Sequence, residues 1–181
     1  TGIANMLVDA MVQEGADRKQ AQQAITLFDK QGLITAERDD LNTSQKAYAH
    51  DMPAESDLQK VVERVKPTML IGVSTQGGLF SEGVVKAMSK LNARPIIFAL
   101  SNPTENAECT AKQAYEWSDG KALFAAGVQF GEEKINGETR YPGQANNFYI
   151  FPAVSLAIYA ARPARVDDKL FIEAARLCAR Q

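Results

Sequence analysis

The stretch that decides the fold is Arg94-Pro95-Ile96-Ile97-Phe98-Ala99-Leu100-Ser101-Asn102-Pro103-Thr104. Residues 95–100 are apolar and uncharged, a short run that reads as a buried strand. The polar residues after it contain the turn dipeptides Ser-Asn and Asn-Pro, so the strand stops there. The same unit recurs outward in both directions. Thr68-Met69-Leu70-Ile71-Gly72-Val73 and Ala122-Leu123-Phe124-Ala125-Ala126 read as strands, and Ala24-Ile25-Thr26-Leu27-Phe28, closed by Asp29, reads as an earlier one. Amphipathic helices separate them. One is capped by Ser56-Asp57 and sets Leu58, Val61, Val62 and Val65 on one face. Another opens at Ser81 with Val84, Val85, Met88 and Leu91 inward, and a third runs from Thr110 to Ser118. Strands buried on both faces, alternating with such helices, specify an α/β fold with a doubly wound, Rossmann-like parallel sheet.

The flanks are helical. Residues 2–14 form a helix with Ile3, Met6, Leu7, Ala10 and Met11 on one stripe, and Asp17 caps a short helix carrying Gln20 to Gln23. Residues 30–42 read as a loop. Asn136-Gly137 marks a hairpin within residues 132–139. Residues 144–161 read as mostly helix despite Pro152. Asp167 is expected to cap a last helix with Leu170, Phe171, Ala174, Leu177 and Cys178 inward.

The chain has 181 residues, a length that fits one domain with a real core. Its 20 Lys and Arg nearly cancel 22 Asp and Glu, and no basic stripe exists, which excludes an electrostatic nucleic-acid binder. No apolar run reaches bilayer length. Cys109 and Cys178 are isolated and read as core residues in a reducing compartment. A single histidine, His50, excludes a His-rich metal site, and no Ser or Cys pattern makes it a general base. Trp117 and the other aromatics do not interleave with Lys or Arg, so no base-stacking platform is indicated. Thr1 already lies where a helix begins, so the N-terminus of the whole protein is expected upstream.

Ligands of parallel sheets bind beyond the carboxyl ends of the strands. That rule selects Asp29-Lys30, Val73-Ser74-Thr75, Ser101-Asn102-Pro103-Thr104 and residues 127–129. Each has two readings. Asp29 can accept from an adenosine ribose or cap a loop; Lys30 can meet a ribose phosphate or point to solvent. Asn102 can present its amide to a carboxylate or carboxamide, or simply make a turn. Residues 72–78 are glycine-rich, giving either a close backbone approach or a plain loop. Asn146 and Asn147 open an apolar helix, where they can bind a carboxylate or cap the helix.

Taken together these segments resemble the large-type malic enzymes. The resemblance is carried by Phe28-Asp29-Lys30-Gln31-Gly32-Leu33-Ile34, by residues 66–73, by residues 94–104 with Ala107-Glu108-Cys109-Thr110-Ala111, and by Tyr141-Pro142-Gly143-Gln144-Ala145-Asn146-Asn147 through Phe151-Pro152. It implies oxidation of malate by hydride transfer to NAD or NADP, then decarboxylation to pyruvate and CO2 with Mg2+ or Mn2+. It implies that Asp29, Lys30, Gln45, Val73, Ser74, Thr75, Ser101 and Asn102 bind the cofactor, and that Asn102, Asn146 and Asn147 bind substrate. Relatives that prefer NADP tend to carry Lys where Gln45 stands, which favours NAD here, although Lys46 is adjacent. Residues 1–181 would then be the NAD(P)-binding domain, truncated at both ends and lacking its first strand and glycine-rich turn. The catalytic Tyr and Lys and the metal-binding carboxylates are expected upstream of Thr1, leaving this chain inactive alone. The parent is expected to be a homo-oligomer, cytoplasmic or in the mitochondrial matrix, without nucleic-acid or membrane partners. Two departures stand out: residues 127–130 replace the family's Ser-Pro pair, and Ala145 replaces a Gly.

Two other readings remain at this point. One is a nucleotide-binding or assembly module without turnover; the other is a different Rossmann dehydrogenase, such as an amino-acid dehydrogenase. A missing central strand would also leave an unpaired sheet edge and poor solubility.

Overall fold

The computed structural model describes residues 1–180. In chain order the elements are helices α1 (Gly2–Gln13) and α2 (Arg18–Gln23), strands β1 (Phe28–Asp29) and β2 (Gly32–Leu33), helices α3 (Thr43–Lys46) and α4 (Leu58–Val65), strand β3 (Met69–Gly72), helix α5 (Glu82–Leu91), strand β4 (Ile96–Ala99), helix α6 (Ala111–Trp117), strands β5 (Leu123–Ala126), β6 (Glu133–Ile135), β7 (Glu138–Arg140) and β8 (Gly143–Gln144), and helices α7 (Phe151–Ala161) and α8 (Asp168–Cys178). The chain divides into two compact units. One comprises Thr1–Leu27, Ile34–Met52 and Asn146–Gln181; the other comprises Phe28–Leu33 and Pro53–Ala145.

The second unit holds the parallel sheet, in the order β3-β4-β5-β8. Met69 pairs with Ile96 and Ile96 with Leu123, so the three long strands run in step and end together. Local chemistry sets the helices between them. Asp57 accepts the Gln59 and Lys60 N–H groups at the start of α4, and Lys66 ends that helix in a left-handed conformation before Pro67. Thr110 and Gln113 form a capping box on α6. Val62, Val84, Val85, Met88, Ala111, Ala114 and Tyr115 from α4, α5 and α6 pack with Ile97, Ala99, Phe124 and Ala126 in one cluster. This is the Rossmann-like parallel α/β arrangement expected. The strands are not buried on both faces, however. All three helices join the same cluster, and on the opposite face Met69 and Leu123 remain exposed.

Three further expectations are corrected. Of residues 24–28 only Phe28 enters a strand, the two-residue β1, which pairs antiparallel with Gly32–Leu33 and not with the parallel sheet. The Asp29 carboxylate accepts the Gln31 N–H at 2.9 Å and Gly32 takes φ 110°, which folds the chain back at once. The loop read at 30–42 therefore contains β2. Residue 144 is strand, not helix: Ala145 donates to the Ala126 carbonyl at 2.8 Å and draws β8 alongside β5. The hairpin at Asn136-Gly137 is as expected, with both residues at positive φ between β6 and β7.

In the first unit, Ala4 and Val8 of α1 pack with Ala21 and Tyr48. Tyr48 donates its hydroxyl to Asn5 at 2.6 Å. His50 is structural, its Nε2 bonded to the Ile25 carbonyl at 2.9 Å. Of the stripe Ile3, Met6, Leu7, Ala10 and Met11, only Met11 packs against the cluster of Ala4 and Val8, and none of the five is fully buried. The stripe walls an apolar cleft with Phe171, Ile172 and Ala175 of α8, where Ile172 is the buried residue. Asp167 makes no side-chain cap, and Phe171, Leu177 and Cys178 are exposed rather than inward. α7 buries only Val154; Phe151, Leu156 and Tyr159 face water. No described helix is long and apolar enough to cross a membrane.

Candidate functional site

The carboxyl ends of β3 and β4 meet at one buried carboxylate. Glu108 is 0% exposed, and its Oε1 accepts the Ser74 N–H at 2.8 Å, the Ser74 hydroxyl at 2.8 Å and the Ser101 hydroxyl at 2.6 Å. Ser74 follows β3 and Ser101 follows β4, so one side chain ties the two crevice loops together. The Ser101 oxygen in turn accepts the Thr75 N–H at 2.9 Å. Thr75 sits at φ 57°, a left-handed conformation that a β-branched residue adopts only when its surroundings impose it.

Burial pushes the Glu108 pKa up, but hydrogen bonds from Ser101 and Ser74 outweigh it and leave the carboxyl below its ordinary 4.5. A lowered folded-state pKa makes a stabilising contribution that is full above the ordinary value and lost as pH falls through the folded one. Glu108→Gln should therefore be less stable than the native protein near neutrality, and the gap should close as pH drops below the ordinary carboxylate range. Urea unfolding at stepped pH measures this; a gap independent of pH would refute it.

Two glycines make the geometry possible. A Cβ on Gly72 would lie 2.6 Å from the Glu108 Cγ and Oε2. A Cβ on Gly127, after β5, would collide with the Leu100 carbonyl and lie 2.8 Å from the Asn102 Nδ2. The bare backbone there is the seat of the Asn102 amide. Asn102 is exposed, its carbonyl accepts from Asn106 at 3.2 Å, and its peptide bond to Pro103 is cis.

Next to Glu108 in sequence is Cys109. Burial, and then the Glu108 charge, push its thiol up to about 12, whereas Cys178 is exposed. In the folded protein a thiol reagent should modify only Cys178, with Cys109 reacting after unfolding. Rapid labelling of both thiols under native conditions would contradict the packing described.

The expected site residues distribute as follows. Ser74, Thr75, Ser101 and Asn102 come together at the strand ends, with Val73 exposed at the loop's start. Asp29 ends β1, whose partner is β2 and not a strand of the parallel sheet, and Lys30 lies on the turn between them. Gln45, Asn146 and Asn147 belong to the other unit. The Gln45 side chain is taken up by the capping box of α3, accepting the Asn42 N–H at 3.0 Å. The Asn146 Oδ1 accepts the Phe148 N–H at 3.0 Å, capping a short 3-10 turn, and Asn147 is exposed. Residues 127–130, which lack the Ser-Pro pair, pack inward: Val128 and Phe130 lie against the core and the Phe130 ring is 6.1 Å from that of Phe124.

Gly72 and Gly127 fall in stretches that the sequence selects, whereas Glu108 has no role in the sequence reading beyond its place in a family-like block. The available signal was a lone charge between Ala107 and Cys109 in an otherwise apolar step. Among the described residues no three His, Cys, Asp or Glu side chains gather into a cation site.

Comparison with known proteins shows the family. The chain is 46% identical over 176 residues to the mitochondrial NAD-dependent malic enzyme of Ascaris suum, covering 97% of this chain and 27% of that protein. It is 44% identical to the NADP-dependent malic enzyme of Sus scrofa and 43% identical to that of Homo sapiens, covering 99% of this chain and 32% of each. It thus spans about a third of the length of these relatives. The family model for the malic enzyme NAD-binding domain matches residues 1–181, and the chain belongs to that family.

Proposed function

We propose that this chain binds the dinucleotide for a malic enzyme that oxidises malate and releases pyruvate and CO2. The observation that carries this is the pair of loops after β3 and β4, tied by Glu108 at the carboxyl edge of a parallel sheet, where such folds take ligands. Val73, Ser74, Thr75, Ser101 and Asn102 would line the cofactor. Bound there, the nicotinamide ring supplies the hydride acceptor. The Asn102 amide offers both donor and acceptor groups, which suits a carboxylate or carboxamide. Asn146 and Asn147 would meet the substrate carboxylate. Asp29, with Lys30 beside it, would take the adenosine ribose.

NAD is the proposed cofactor rather than NADP. Gln45 brings no positive charge, and the Asp29 carboxylate would oppose a ribose phosphate. The divalent cation of the whole enzyme would be Mg2+ or Mn2+. The whole enzyme is proposed to be a homo-oligomer in the cytoplasm or mitochondrial matrix. Membership of the malic enzyme family sets aside the amino-acid dehydrogenase reading.

Titrating the full chain with NADH and NADPH, read by nucleotide fluorescence, tests the proposal. NADH should bind saturably and more tightly than NADPH, and Asn102→Ala should weaken it. Absence of saturable binding of either nucleotide would sink the reading; preference for NADPH would reverse the cofactor choice.

A further inference from the structure

We propose that Glu108 is the positioning residue of this crevice, holding the loop after β3 with its backbone donors turned inward so that it takes the sugar or ring of a dinucleotide and not its phosphates. The inference rests on the dinucleotide reading above.

An ionised carboxylate only accepts hydrogen bonds. The Ser74 and Ser101 hydroxyl protons must therefore both point at Glu108, at 2.8 and 2.6 Å. Their oxygens are left as acceptors, and each takes a loop amide: Ser74 Oγ from the Gln76 N–H at 3.1 Å, Ser101 Oγ from the Thr75 N–H at 2.9 Å. The Ser74 N–H goes to the carboxylate directly. Further along, the Gly78 N–H goes to the Ala107 carbonyl at 3.2 Å, Leu79 to Gln76 at 3.3 Å and Phe80 to Glu108 at 2.9 Å. The direction of the bonding follows from one charge. Ionised Glu108 polarises two hydroxyls, and they orient the loop.

The consequence is chemical. A phosphate-binding loop aims consecutive N–H groups at its ligand. Here the N–H groups of residues 74, 75, 76, 78, 79 and 80 are already engaged within the protein. What the loop offers instead is the Val73 side chain, 61% exposed, and the exposed Thr75, whose hydroxyl donates to the Ser74 carbonyl at 2.6 Å and so keeps its oxygen as an acceptor. That surface suits a ring face or a hydroxyl-bearing sugar.

The role is one of position, since Glu108 is fully buried behind the serines. Glu108→Gln keeps the shape and one acceptor oxygen, but removes the charge that holds three donors on Oε1 and sets an NH2 group where Oε2 faces the Ser101 N–H at 3.4 Å, so the two hydroxyls and the loop amides behind them lose their order. Amide hydrogen exchange on the full chain should show protection at Ser74, Thr75 and Gln76 falling about tenfold or more in this variant, while Ile97 and Ala126 keep theirs. NADH affinity should fall about tenfold. If Glu108 acts through Ser101, the double variant with Ser101→Ala should bind NADH about as weakly as either single variant. Inorganic pyrophosphate should leave the amide resonances of residues 74–76 unmoved.

Unchanged exchange at residues 74–76, additive losses in the double variant, or pyrophosphate shifts at those amides would each overturn the inference. Loss of Ile97 and Ala126 protection as well would reduce Glu108 to a general stabiliser and overturn it too. Native NADH binding with an unaffected Glu108→Gln would overturn the inference alone. A native chain that bound no NADH would overturn the dinucleotide reading, while the exchange measurement would still decide whether Glu108 orders the loop.

Discussion

Gly72→Ala should unfold at markedly lower denaturant than the native protein and should lose NADH affinity with it. The new methyl would lie 2.6 Å from the Glu108 Cγ and Oε2, closer than any real Cβ contact. β3 cannot retreat, because Leu70 and Gly72 are in register with Ile97 and Ala99 in the sheet. Glu108 must therefore move, and the Ser74 amide and Ser101 hydroxyl lose their acceptor. Overpacking costs about 1–3 kcal/mol and an orphaned buried donor a similar amount, so the expected loss is about 2–5 kcal/mol. Gly131→Ala is the control, with nothing within 4 Å of its added Cβ and no positive φ; it should be near neutral. Trimming the partner should help: Gly72→Ala combined with Glu108→Ala should cost less than the sum of the two. Urea unfolding of the four variants beside the native protein measures this. Full stability in Gly72→Ala would mean that Glu108 does not occupy the space beneath β3.

Ile97→Ala should be comparably damaging for a different reason. Ile97 is 0% exposed in the central strand β4, in the cluster formed with Met88 and Phe124. Removing its outer carbons from a closed cluster leaves a cavity, at about 2–5 kcal/mol for such truncations. Domains of this kind hold about 5–15 kcal/mol in total, so the variant approaches the limit of folding. Leu123 is the comparison: it lies on the neighbouring strand but is 39% exposed on the other face. Leu123→Ala should cost well under half as much. Equal losses at the two positions would show that the sheet is buried evenly on both faces.

Some elements announced themselves because their signals are local. The strand at residues 96–99 is an apolar run flanked by Pro95 and a turn. α4 and α6 carry Asp57 and Thr110 at the positions where helices need an acceptor. Asn136-Gly137 accepts the positive φ that a tight hairpin requires. What stayed hidden depends on distant partners. β8 has two residues and no apolar signature, and exists because the end of β5 offers carbonyls to it. The apolar run at residues 24–28 reads as strand by composition, but a strand needs a neighbour, and only Phe28 and Asp29 find one in β2. The site shows the same split. Ser74, Ser101 and Asn102 follow strands and were selected by the rule of strand ends. Glu108 reaches Ser74 across 34 positions of sequence, a distance over which no spacing rule operates.

The outer surface of α7 has a bearing on handling. A helix that hides only Val154 and shows Phe151, Leu156 and Tyr159 to water gains whenever two molecules touch there. Attraction of this kind grows with concentration and with salting-out anions such as sulfate, which strengthen apolar association. Dilute storage in buffers free of sulfate thus keeps the molecules apart, whereas the same helix becomes an adhesive when crystals are grown from ammonium sulfate.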